Sequence, residues 1–145
     1  MSEVLPMSSK VTLSEADVDR FLCALKAVLR DPSFEVSIGL DILMTKKGEP
    51  LNDPFSTVNT LLDLDYDSSD VLKELLSLSS SDYLETFIDD KDSALPPFYA
   101  FVKEIMGRMV YIKVKIRDRN RCKVFCVSFH FPRFPVPSRL PYAKT

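Results

Sequence analysis

The sequence predicts an α+β fold in which N-terminal helices pack on a C-terminal antiparallel β-sheet. Three observations carry this expectation. Apolar residues recur at helical spacing through most of the first 90 positions, and after Pro96 and Pro97 the pattern changes to strands, with period-two alternation from Val110 to Arg117. The order of helices first and strands second fits segregated layers rather than alternating βαβ units. At 145 residues the chain suits one domain with a sizeable core.

Residues 1–11 read as a disordered N-terminus, and residues 12–145 as a single α+β domain. Thr12-Leu-Ser-Glu15 is a capping box for a helix whose Val18, Phe21, Leu22, Leu25, Val28 and Leu29 share one face. Asp31-Pro32 ends it. Phe34, Val36, Ile38, Leu40 and Ile42 alternate and predict a strand. A polar loop follows at 46–54, and Asp53-Pro54 starts a short helix through Leu62. Ser68 or Ser69 caps another, with Val71, Leu72, Leu75 and Leu76 inward. A serine among Ser79, Ser80 and Ser81 restarts a helix carrying Tyr83, Leu84, Phe87 and Ile88. Residues 98–105 predict a strand, residues 106–109 a turn, and residues 110–117 and 122–130 the two arms of a hairpin. The Pro-rich tail, 131–145, lacks donors at its prolines and reads as extended.

Charge divides the chain. Residues 1–92 hold 8 Lys/Arg against 19 Asp/Glu and residues 93–145 hold 11 against 2, so a −11 block precedes a +9 block. A basic block on ordered strands suggests a polyanion site; uneven charge on solvated faces is the plainer alternative. No apolar run reaches the length of a membrane span. The N-terminus lacks the pattern of a signal peptide, and three cysteines cannot all pair. A cytoplasmic protein with reduced thiols and no membrane association is the expectation.

The hairpin is the most informative segment. One face of its first arm collects Val110, Ile112, Val114 and Ile116, and the other Tyr111, Lys113, Lys115 and Arg117. On the second arm the core is expected to take Phe125, Val127 and Phe129, leaving Val124, Cys126, Ser128 and His130 with the cations. With Asn120-Arg121 at the tip, Tyr111 lies opposite His130 at about 5 Å between Cβ atoms. Metal-free RNA cleavage needs a base for the 2′-hydroxyl, an acid for the leaving oxygen and charge for the phosphate. His130, Tyr111 and Lys113 are the catalytic candidates, and Lys115, Arg117, Arg133 and Ser128 the phosphate-binding ones. Phe131 and Phe134 are candidates for base stacking. A capped core histidine beside an exposed charged face is the alternative reading.

Cys122, Cys126 and His130 recur every four residues. On a strand such residues stand roughly 13 Å apart, too far to share an ion. No metal and no cofactor is expected, and three glycines cannot build a phosphate loop or a dinucleotide fingerprint.

Three blocks in order, TLLDLDYDSSDVLKELLSLSSSDY at 60–83, GRMVYIKV at 107–114 and VSF at 127–129, resemble the MqsR family of bacterial toxins. The resemblance spans about residues 58–130. It implies a RelE-like fold, mRNA endonuclease activity as the toxin of a type II toxin–antitoxin system, and a cognate antitoxin as partner. By position it puts the family's catalytic tyrosine on Tyr111. It also puts His130 where the family has a lysine, and Glu85 near the place of a second lysine.

Overall fold

The computed structural model describes residues 8–92 and 94–144. Its elements run β1 (Ser8–Val11), α1 (Glu15–Leu29), α2 (Val36–Gly39), β2 (Leu40–Ile42), α3 (Thr57–Leu64), α4 (Ser68–Leu76), a 3-10 turn (Ser80–Asp82), β3 (Tyr83–Asp89), β4 (Phe98–Ile105), β5 (Arg108–Asp118) and β6 (Lys123–His130). One six-stranded sheet, in the order β1-β3-β4-β5-β6-β2, is antiparallel except where β2 runs parallel to β6. The fold is α+β, with helices mainly in the first half and the meander in the second.

Helix α1 begins at Ser14, whose hydroxyl accepts from the Asp17 N–H, and its Val18, Phe21, Leu22, Leu25, Val28 and Leu29 are buried. Its Phe21 ring stacks on Tyr99 of β4 at 3.7 Å between centroids. Helices α3 and α4 start at Ser56 and Asp67, slightly later and slightly earlier than expected. Their Leu61, Leu64, Val71 and Leu75 join the same core beneath Val110, Ile112, Val114 and Phe129. Among the described residues no helix is long and apolar enough to cross a membrane.

Four expectations are corrected. Residues 8–11 are a strand rather than part of a disordered terminus, because Lys10 lies opposite Phe87 and Ser9 donates to Asp90 at 2.6 Å; residues 1–7 lie outside the described residues. The expected strand over 34–42 is a helical turn at 36–39 followed by three strand residues. Gly39 stands at the join, where a Cβ would lie 2.6 Å from both the Cys122 carbonyl oxygen and the Phe34 ring, so only glycine lets the turn pack this close. The helix expected after Ser79–Ser81 is only one 3-10 turn, and Tyr83, Leu84, Phe87 and Ile88 lie in β3. There Leu84 is an unpaired bulge between Tyr83↔Phe101 and Glu85↔Ala100, and the extra residue gives a strand the spacing of a helix face.

The fourth correction concerns β6. Tyr111 pairs with His130, Ile112 with Phe129 and Lys113 with Ser128, but Val114 pairs with Cys126, so Val127 is an extra residue. Arg117 is the matching extra residue on β5, between Ile116↔Val124 and Asp118↔Lys123. Between the two bulges the faces are the reverse of expectation: Val124 and Cys126 are buried in the core, and Phe125 joins the cations. The pairing of β2 explains this. Buried Leu40 lies beside buried Val124, and exposed Asp41 beside Phe125, so the apolar side of β2 continues the core only with Val124 and Cys126 turned inward.

Candidate functional site

The helix-free face of the sheet is built in three cross-strand rows. Nearest the His130 end, Val102, Tyr111 and His130 are neighbours; next come Glu85, Ala100, Lys113 and Ser128. A third row carries Phe87 and Phe98 on β3 and β4 and Lys115 and Phe125 on β5 and β6, with Lys10 and Asp41 on the edge strands.

A cleft of about 460 Å³ opens over the first two rows. Tyr111, Lys113, Ser128, His130 and Arg133 line it, together with Lys10, Lys46, Glu85, Phe87 and the strap from Pro132 to Pro137. Lys115 and Arg117 lie outside it, on the third row and at its end.

His130 is held from three sides. The Phe129 and Phe131 N–H groups, which flank it, donate to Thr57 and Thr60 of α3 at 3.2 Å, so helix side chains satisfy the part of β6 that β2 does not reach. Its Nδ1 lies 3.0 Å from the Phe131 carbonyl oxygen. A carbonyl can only accept, so Nδ1 carries the proton and the Nε2 lone pair, on the cleft side, accepts from the Lys46 ammonium. The Lys46 ammonium stands 3.4 Å from Nε2 and 2.8 Å from the Ser128 hydroxyl. The Tyr111 and His130 rings lie 5.5 Å apart.

Burial dominates the electrostatics here. It pulls His130 below the usual imidazole range, the bond to the Phe131 carbonyl opposes this, and the Lys46 charge adds to it, so the ring is neutral at pH 7. Burial and the Lys46 charge pull Lys113 down to about 8, with Glu85 opposing. Burial pushes Tyr111 up, and Glu85 adds to it, so its phenol stays protonated. Among the described residues neither the Tyr111 hydroxyl nor the Lys113 ammonium has a hydrogen-bonding partner; Lys113 instead rests 3.7 Å from the Phe87 ring centre.

Two candidates are placed differently from their expected roles. Arg133 is held by Glu49 at 2.5 Å and Asp53 at 2.9 Å, so its charge is spent on fixing the strap to the loop between β2 and α3. Phe131 is buried with the Arg108 guanidinium stacked on it at 3.5 Å, whereas Phe134 is 80% exposed. Cys126 is in the core and His130 on the opposite face, and among the described residues no group of three His, Cys, Asp or Glu is placed to hold a metal.

Lys46 is the residue that sequence reasoning missed. Its only signal is the Lys46-Lys47 pair in a loop, and nothing local says that the loop returns to β6. The parallel pairing of β2 brings it there, extended by the Leu43 N–H donating to the Cys126 carbonyl at 3.0 Å. Compared with known proteins, the chain matches no family model, no curated protein and no solved structure.

Proposed function

We propose that this protein is a metal-independent endoribonuclease that cleaves mRNA, the toxin of a cytoplasmic type II toxin–antitoxin pair with a cognate antitoxin as partner. The observation that carries the reading is the neutral His130 with its Nε2 lone pair facing a cleft that also holds Lys46, Lys113 and the Tyr111 phenol. His130 takes the proton of the 2′-hydroxyl as that oxygen attacks phosphorus. Lys113, charged at pH 7 but with a lowered affinity for its proton, gives one to the departing 5′-oxygen. Lys46 and Tyr111 donate to the phosphate oxygens as negative charge builds. The resemblance to the MqsR family supplies the toxin role and the antitoxin.

Purified protein assayed on a mixed-sequence RNA in EDTA tests the chemistry. Wild type is expected to cut, and His130→Ala to cut at least about 100-fold more slowly. Equal cleavage by both removes His130 from the reaction. Glu85 favours a second reading, a non-catalytic nucleic-acid or protein binding module, because a carboxylate in the cleft opposes an incoming phosphate. Salt-dependent RNA binding without any product would establish that reading in place of the first.

A further inference from the structure

The third row of the sheet face that carries no helix has no part in the chemistry proposed above, yet it sets three aromatic rings side by side. Phe87 and Phe98 are directly opposed on β3 and β4. Phe98 and Phe125 lean toward each other across β5, with ring centres 5.8 Å apart. All three rings are half-buried and lie on the face that carries no helix. Each has a cation against it: Lys113 by Phe87, Lys115 4.6 Å from Phe98, and Arg117 4.2 Å from Phe125.

Such an array has a ready use for a chain of alternating bases and phosphates. A ring face binds any unpaired base, and the cation that leaves the ring finds a phosphate. The Arg117–Asp41 pair at 3.2 Å is half-exposed on both sides and gives way at little cost. The bulge at Arg117 matters here, because an unpaired residue directs its side chain over Phe125 instead of continuing the ladder. The row adjoins the cleft through Lys113, which faces the cleft and touches Phe87.

We propose that Phe98 and Phe125, with Lys115 and Arg117, form a platform that seats the single-stranded RNA flanking the scissile bond, with bases on the rings and phosphates on the cations. The proposal rests on the nuclease reading for its ligand, and it assigns to Lys115 and Arg117 a place outside the reaction. Double-stranded RNA is excluded from such a platform, since its bases are already stacked. An acidic protein would use the cations and ignore the rings.

The chain contains no tryptophan, so Phe98→Trp introduces a single indole whose emission reports stacking. A 2′-O-methyl RNA strand, which cannot be cut, is expected to quench that emission as it binds. The same strand in a duplex, or polyglutamate, is expected to leave it unchanged. Phe98→Leu with Phe125→Leu, melting near the wild-type temperature, is expected to weaken strand binding by roughly 10-fold per ring and to raise KM with kcat held. Absence of quenching, or equal binding of strand and duplex, overturns the platform. If the Phe98→Trp protein binds and is quenched while the wild type never cuts, the nuclease reading alone is overturned; if the Phe98→Leu, Phe125→Leu variant cuts with an unchanged KM, the platform alone is overturned.

Discussion

The two faces of the sheet are made by the same strands and answer to different demands. The face under α1, α3 and α4 is filled by Val110, Ile112, Val114, Val124, Cys126 and Phe129, each almost fully buried. The other presents Tyr111, Lys113, Lys115, Phe125, Ser128 and His130, few of them satisfied by one another. A core side chain is judged by shape and volume, since its neighbours are fixed and close-packed. A side chain on the open face is judged by what it leaves unpaired. The structure keeps the two demands apart by alternation, and at Val127 it breaks the alternation so that both are met.

That contrast can be broken most forcefully from the core side. Phe129→Ala removes a fully buried ring and is expected to cost about 3–5 kcal/mol of stability, measured by urea unfolding; a cost below about 1 kcal/mol would mean that the core face is not close-packed there. On the open face, Lys46→Met is expected to lower cleavage about 100-fold at pH 7 without lowering the melting temperature. A comparable loss in stability would make Lys46 a structural residue.

The pH dependence sharpens the same distinction. A general base must be neutral, and His130 is pulled below its ordinary value, so activity is expected to fall only below about pH 6.5. A general acid must be charged, and Lys113 titrates near 8, so activity falls again above about pH 8. Lys113→Arg is expected to abolish the alkaline limb. If the limb stays, another group is the proton donor.

Lys113→Met exposes the tension between the faces. The folded state holds this ammonium less willingly than water does, so below pH 8 its charge costs stability, and the cost fades as pH rises from 8 toward 10.5. Replacing it is expected to stabilise the protein by about 1–2 kcal/mol after solvent screening while impairing cleavage, as paired melting and activity assays would show. The smallest effect is that of Glu85→Gln, expected to tighten RNA binding about 3-fold at low salt, read by fluorescence anisotropy. Weaker binding would show that the carboxylate orients Lys113 or Lys10 instead of repelling phosphate.

Much of this was legible in the sequence, and the failures share a cause. The core face of α1, the strand from Phe98 to Ile105 and the pairing of Tyr111 with His130 all follow from local periodicity and hold in the structure. Periodicity fails wherever one residue is inserted into a strand. At Leu84 the bulge imitates a helix, and at Val127 it exchanges Phe125 for Cys126 in the core. The site was readable as far as it lay on one hairpin. Lys10 lies on edge strand β1 and Lys46 on the loop that follows edge strand β2, strands whose partners are 77 and 84 residues away, and Arg133 meets carboxylates that no local pattern connects to it.

The two extra residues of the hairpin have a consequence for how the protein tolerates change. Val127 advances one arm and Arg117 advances the other, so the phase error introduced near His130 is cancelled before the tip. The ends therefore stay aligned, while the segment between them runs in the opposite parity, with Val124 and Cys126 buried. A residue gained or lost in the tip loop has a place to be absorbed, at Arg117, before it reaches Tyr111 and His130. The hairpin contains its own slack, and it lies on the side away from the cleft.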